Sequence, residues 1–519
     1  MALIRFAATV GGYTMASRVL GFARDVLIAA ALGAGPVAEA FVVAFRFPNL
    51  FRRLAAEGAV GAAFVPLFAR RLETEGRGAA KAFAEQTLAV LLTTLLIFTV
   101  LVEIAMPWLM VVIAPGFIDD PDKFALAVDL ARIAFPYLLF MALVALLGGV
   151  LNALYRFVAP AAAPILLNVI LIGVLLAVIG TPEAVGHALV WGVAAAGAAQ
   201  FVFMVIACRR AGMALALPRP RLTPGIRRLG VLMLPLAFTA GALQLNLLIG
   251  TMIATLQTGA AAWLYYADRI YQLPLGVVGV AVGTALLPML ARSLRAGDAA
   301  AARESQSRAL EVSLLLTLPA TAALLVIAWP IVQVLFERGA FTAADTDATA
   351  RALFAFSLGL PAFVLVKVLS PGFFAREDTV TPFRVTLIVV AINTALSLAL
   401  FQFIGYVGIA LATSAAAWLH AVVFWIILRR RGALEIDARL AARLPRIVAA
   451  SAVMAAALWP LAGALEGPLA GSPAAAAAAL AALVGAGLVV YGVAAQVLGA
   501  ARLGELRAML RRRDDQQAA

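Results

Sequence analysis

The chain has 519 residues, of which 64% are hydrophobic and 13% charged, with a formal net charge of +13 and a mean hydropathy of +1.02. Soluble domains run about 45–50% apolar and about 25% charged, so the composition excludes a soluble globular fold and indicates an all-α polytopic membrane protein. A single cysteine, Cys208, excludes an internal disulfide, and His187 and His420 stand in no metal-ligand spacing.

A helix needs about 20 mostly apolar residues to cross the hydrocarbon core. Fourteen segments meet that length: 8–33, 37–68, 86–113, 124–150, 157–180, 184–207, 229–256, 260–291, 309–336, 345–372, 383–403, 405–428, 446–464 and 473–499. The first runs into Arg18 without a cleavage site and reads as an uncleaved span. Proline and glycine inside several spans are compatible with membrane helices whose neighbours re-satisfy the backbone.

The loops test this count independently, because Lys and Arg concentrate on the cytoplasmic side. Every second loop, with the two ends of the chain, carries 29 Lys and Arg. The alternate loops carry 2, Lys123 and Arg338. A missed helix would invert every later loop, so the alternation supports fourteen spans with both termini cytoplasmic. The positive charge is mostly this bias. It suits anionic lipid headgroups, and no nucleic-acid partner is expected.

Shifted by 222, "AVGAAFVPLFARRL" (59–72) lies on "AVGTALLPMLARSL" (281–294) with eight of fourteen positions identical, Pro66/Pro288 and Arg70/Arg292 among them. An even number of spans separates the copies, so they share one orientation. The expected organisation is a six-span N-lobe (1–217) and a six-span C-lobe (218–431) related by a pseudo-twofold along the membrane normal. Residues 432–519 hold spans 13 and 14 and a cytoplasmic tail. Parallel repeats of this kind are a transporter architecture.

Nine cations lie inside the spans: Arg18, Arg24, Arg46, Arg52, Arg53, Arg132, Arg269, Arg351 and Lys367. Five of them fall in the first two helices, against three acids, Asp25, Glu39 and Glu57. Insertion scales put an arginine at mid-helix near +2.5–3.5 kcal/mol, so five facing lipid would cost roughly 12–18 kcal/mol. They must line a wet cavity, pair with acids or sit near an end. Seven-residue spacings place Arg18 with Asp25 and Glu39 with Arg46 on common helical faces, and Arg53 lies four residues before Glu57. Asp268 and Arg269 lie deep in span 8. Surplus positive charge in a cavity suits an anion, and arginine forks onto phosphate. Arg46, Arg132, Arg351 and Lys367 are equally well read as snorkelling or static pairs.

The stretches "SRVLGFARD", "FRFPNLFRRLAAEGA", "FVPLFA" and "YYADRIYQLPLGVVGVAVGTALLP" resemble the MurJ/MviN family, the lipid II flippases of bacterial cell-wall synthesis. The resemblance covers essentially the whole chain. It implies two six-helix lobes around a central cationic cavity, within the multidrug/oligosaccharidyl-lipid/polysaccharide exporter superfamily. It also implies a groove for a polyprenyl tail formed by the two extra C-terminal helices. It assigns substrate binding to Arg18, Arg24, Arg52 and Arg269, with Glu39 standing where the family has a cavity aspartate. Asp25, Arg53, Glu57 and Asp268 are candidate supporting ion pairs. Some members bind sodium in the second lobe; spans 7 and 11 here offer Gln244, Asn246 and Asn393 but no acid, which leaves a sodium site open. The implied protein is a monomer of the bacterial inner membrane with lipid II as substrate, no resident cofactor, and the membrane potential as driving force. Cell-wall synthesis proteins are potential partners.

Two other readings share part of this pattern. An exporter of another polyprenyl-pyrophosphate-linked oligosaccharide, or of a small molecule, would keep the fold, although a cationic-drug exporter calls for acids in its cavity. A membrane enzyme would need a catalytic constellation. No G-x-x-x-x-G-K-[ST] or H-E-x-x-H run occurs, and no D-x-D sits at a cytoplasmic helix end.

Overall fold

The computed structural model of the chain describes residues 2–52 and 61–501, with side chains apart from those of 2–9, 50–52, 62, 234–243, 245 and 277–285. The described residues are helical or connecting, with no strand among them. The helices are α1 (Ala2–Leu32), α2 (Pro36–Arg52), α3 (Gly61–Thr74), α4 (Gly76–Ile113), α5 (Pro121–Ala134), α6 (Tyr137–Ala153), α7 (Val158–Ala177), α8 (Pro182–Arg210), α9 (Pro224–Ala254) and α10 (Ala260–Arg295). They continue as α11 (Ala299–Val326), α12 (Ala328–Phe336), α13 (Ala343–Ser357), α14 (Leu360–Phe374), α15 (Val380–Ile404), α16 (Tyr406–Arg430), α17 (Ala438–Ala464), the short α18 (Glu466–Leu469) and α19 (Pro473–Val497).

Each of the fourteen expected spans carries helix. Among the described residues nine spans meet the length and hydropathy of a membrane crossing, or ten with α13 and α14 taken together across a 40° bend. The remaining expected spans hold the charges of α1, α2 and α10 or include residues outside the description. The fourth span is two helices, α5 and α6, parted at Phe135 and Pro136, and the ninth is α11 and α12, parted at Ile327. The helix starts follow from their caps. Thr181, Thr223 and Ser472 each accept a backbone N–H and are followed by proline at the first helical position. Thr342 and Asp345 form a reciprocal capping box at α13.

Contacts divide the chain into two compact units. The first is Met1–Ala262 with Arg338–Phe341; the second is Trp263–Glu337 with Thr342–Ala519. In the first unit α6 is buried almost all round, and α4 turns outward the side chains of Leu96, Ile97, Val100, Leu101, Ile104 and Trp108. An apolar stripe of that size with no protein over it is a lipid-facing surface. The short segment Arg338–Phe341 belongs to this unit because its backbone is keyed to the end of α1. The Ala340 N–H donates to the Ala30 carbonyl at 2.8 Å. Gly33 (φ 61°) and Gly339 (φ 60°) both take the left-handed conformation, and a Cβ on either would meet the carbonyl oxygen of the opposite strand of chain.

In the second unit α17 and α19 pack on each other and on α11 and α12, through Ile327, Met454, Leu458, Leu469 and Leu483. A charged cluster closes one end of this contact. Glu311 of α11, 5% exposed, accepts from Arg308, Arg439 and Arg443, while Arg308 also reaches Asp437. Tyr491 of α19 donates to the Leu315 carbonyl at 2.6 Å. The two extra helices are thus fastened to span 9 by both apolar and charged contacts.

The loop after α14 carries a separate ion pair. Asp378 accepts from Arg431 at 2.6 Å and from the Thr381 N–H at 2.9 Å. The Arg431 hydrogen bond, with the Thr381 donors, holds its carboxyl down at about 2. A depressed folded pKa adds stability above the unfolded value of about 3.9 and loses it as pH falls through the folded one. The link should therefore persist at pH 5 and fail between about pH 4 and pH 2. Asp378→Asn should flatten that part of the wild-type stability profile, by less than about 1 kcal/mol for so exposed a pair. Thermal melts of the detergent-solubilised protein across that range check it.

Candidate functional site

The polar residues Thr14, Ser17, Arg18, Arg24 and Asp25 of α1 recur at a spacing that places side chains on one helical face. This face packs against α7. Arg24 is 7% exposed and Asp25 2%. The guanidinium closes on its own neighbour: Arg24 Nε and Nη2 donate to Asp25 Oδ1 at 3.1 and 2.7 Å. Arg24 Nη1 donates to Asn168 Oδ1 at 2.9 Å, and Asn168 Nδ2 donates to the Ser17 carbonyl at 2.9 Å. Asn168 therefore ties Arg24 back to the helical turn that carries Arg18.

Arg18 differs in every respect. It is exposed, and no described residue pairs with it. It lines a cavity of about 400 Å³ walled by Val10, Phe157, Pro160 and Pro164, with Ser17 and Asn152 among its polar groups. The expected Arg18–Asp25 pair does not form. A seven-residue spacing is two turns, about 10.5 Å of rise, whereas Arg24 and Asp25 are adjacent in the chain and their side chains meet directly. The consequence is chemical: the charge of Arg24 is largely met by Asp25, while that of Arg18 is presented to the cavity. A guanidinium against apolar walls is suited to fork onto a phosphate.

Glu39, in the first turn of α2, is completely buried. It pairs with Lys123 of α5, itself 6% exposed, and its Oε1 accepts from the Ala261 N–H at 3.3 Å. The expected Glu39–Arg46 pair is again replaced by a partner from another helix, since Arg46 donates to Thr251 Oγ1 at 2.6 Å. Lys123 also stands 4.1 Å from the centre of the Phe117 ring. Arg52 ends α2, and its side chain, with all of Arg53 and Glu57, lies outside the described residues.

In the second unit, Asp268 and Arg269 lie on α10. Arg269 stands over the Tyr265 ring at 4.6 Å, a cation–π contact. Asp268 accepts from Gln272 and is hydrogen-bonded by Tyr271, whose ring stacks on Phe356 at 5.1 Å. Of the other intramembrane cations, Arg351 forms an exposed ion pair with Asp347 at 2.9 Å, and Arg132 donates to the Glu103 carbonyl at 3.2 Å.

Sequence reasoning missed Asn168. One amide inside the apolar run "PILLNVILIG" was its only signal, and a polar side chain there requires a partner. Asn168→Ala removes an acceptor and a donor at once from a buried corner. It should cost about 1–3 kcal/mol, read as a lower melting temperature of the purified protein.

This fold has solved counterparts. "Lipid II flippase MurJ, inward closed conformation" superposes with a TM-score of 0.78 at 24% identity, covering 94% of this chain and 98% of that one. An inward-facing multidrug resistance MATE transporter of the MOP superfamily superposes with a TM-score of 0.65 at 16% identity, covering 82% and 98%. The architecture is that of a polytopic membrane protein with the fold of these carriers. The family model "Lipid II flippase MurJ" matches residues 28–470. A "Probable lipid II flippase MurJ" of Rhizobium meliloti is 49% identical over 518 residues, 99% of this chain and 97% of its own. The "Lipid II flippase MurJ" of Burkholderia cenocepacia is 37% identical over 437 residues, covering 83% and 85%. The chain belongs to the lipid II flippase MurJ family.

Proposed function

We propose that this chain is a transporter of the bacterial inner membrane that carries lipid II from the cytoplasmic to the periplasmic leaflet. The observation that carries the reading is Arg18, an exposed guanidinium with no partner among the described residues, lining a cavity with apolar walls. Family membership supplies the substrate. In this reading Arg18, Arg24, Arg52 and Arg269 bind the pyrophosphate, Asn168 positions Arg24, and the buried Glu39 acts through Lys123. The lobes 1–217 and 218–431 alternate access, while α17 and α19, within 432–519, carry the polyprenyl tail. Both termini are cytoplasmic, the working unit is a monomer, and any cell-wall synthesis partner is secondary to transport.

The lipid head is anionic. An inside-negative potential favours its outward movement by about 2.3 kcal/mol per charge per 100 mV, so neither ATP nor a cation site is required. The test is growth of bacteria depleted of their own lipid II flippase. The wild-type chain should restore growth and Arg18→Ala should not; equal rescue by both would remove Arg18 from the function.

A further inference from the structure

Beyond its first turn, α13 is exposed only at Asp347, Arg351 and Phe354. Spacings of four and three put these side chains on one helical face. All three line a cavity of about 660 Å³ in the second unit, walled also by Trp329 of α12 and by Ile404 and Val407 from the turn between α15 and α16. That volume is typical of a small-molecule site. Trp329, Phe354 and Ile404 are 41, 46 and 45% exposed, so the apolar walls are open to a ligand. The turn is held from behind. Tyr406 donates to the Ala348 carbonyl at 3.0 Å, and its ring packs on that of Trp263 at 5.0 Å.

Charge and apolar surface are separated along the cavity. Asp347 lies near the start of α13, and Phe354 is two turns further in, about 10.5 Å along the axis. A bilayer changes in the same order, from headgroup to hydrocarbon, and aromatic side chains suit that boundary. Arg351 and Asp347 pair at 2.9 Å, with side chains 67 and 53% exposed. An exposed i,i+4 pair adds little to stability, so both charges are available to a ligand. An anion alone would be repelled by Asp347, and a cation alone by Arg351. A ligand with both charges satisfies both residues, its phosphate on the guanidinium fork and its ammonium on the carboxylate. The apolar walls alongside call for an acyl chain. We propose that this cavity binds a zwitterionic phospholipid of the phosphatidylethanolamine type. Arg351 takes the phosphate, Asp347 the ammonium, and Trp329, Phe354 and Ile404 one chain. The site needs nothing from the lipid-flipping reading, and its failure would leave that reading standing.

The experiment is native mass spectrometry of the full chain, stripped of lipid in detergent, with phosphatidylethanolamine and phosphatidylglycerol of matched chains. Wild type should bind phosphatidylethanolamine at least fivefold more tightly. Asp347→Asn should bring that ratio within twofold of one, because the ammonium loses its partner and the glycerol headgroup no longer meets a carboxylate. Arg351→Gln should weaken phosphatidylethanolamine binding at least fivefold. Both positions are exposed, so the lipid-free variants should melt with wild type. Glycerophosphoethanolamine, the same headgroup without chains, should not displace the lipid at equal concentration. A wild-type ratio near one, the result expected of non-specific lipid in an open groove, overturns the proposal. So does an unchanged ratio in Asp347→Asn, or unchanged phosphatidylethanolamine binding in Arg351→Gln. Displacement by glycerophosphoethanolamine would make the ligand a soluble headgroup and overturn the lipid assignment.

Discussion

Arg18→Ala should reduce the initial rate of lipid II translocation in proteoliposomes by at least thirtyfold. A thirtyfold loss corresponds to about 2 kcal/mol, within the range of a charge-assisted bidentate contact to phosphate. No described residue neutralises Arg18, and it stands beside the apolar walls of its cavity. Arg18→Lys should recover only part of the rate, because an ammonium keeps the charge but not the planar fork. Arg24 behaves differently in this account. Its bonds to Asp25 and Asn168 make it structural as well as binding, so Arg24→Ala should lower melting temperature together with rate, whereas Arg18→Ala should lower rate alone. Equal melting losses in both variants would contradict this division.

Glu311→Ala should give the largest loss of stability among single substitutions in the second unit. The carboxylate is 5% exposed and shared by Arg308, Arg439 and Arg443. Breaking a buried ion pair by removing one partner costs about 3–5 kcal/mol. The lower end applies here, because Arg308 and Arg439 reach water. The damage should be local to the contact of α17 with α11, since Asp437 and Arg308 link the same two helices. Glu311→Gln should cost less, because the amide oxygen still accepts from an arginine. Thermal melts in detergent, with a disulfide trap between α11 and α17, read both effects. A Glu311→Ala protein that melts with wild type would show that the apolar cluster around Met454 and Leu458 suffices to hold the pair.

The legible part of this molecule was what depends on local composition. Apolar length and the alternation of basic loops marked where helices lie, and the helices fall on those segments. The cost of charge in hydrocarbon singled out Arg18 and Arg24 without any structure. What stayed hidden was partner choice. Helical spacing suggested Arg18–Asp25 and Glu39–Arg46, yet Asp25 takes Arg24 and Glu39 takes Lys123 from α5. A face shared along one helix says which side chains point the same way. It does not say which side chain from a neighbouring helix comes closer. Lys123 illustrates the limit: counted as a loop cation, it is buried beneath Phe117 and Glu39. Glu311 carried no signal of its own for the same reason, its arginine partners lying up to 132 positions away in sequence. Asn168 was hard to see because a lone amide in an apolar span carries no periodic signal.

The most direct measurement is the exposure of inner-leaflet lipid II to an external probe in sealed vesicles containing the wild-type chain, with and without an imposed potential. The account predicts exposure that is protein-dependent and faster when the interior is negative. Lipid II that stays protected at every potential, in vesicles where the protein is folded and inserted, would contradict it.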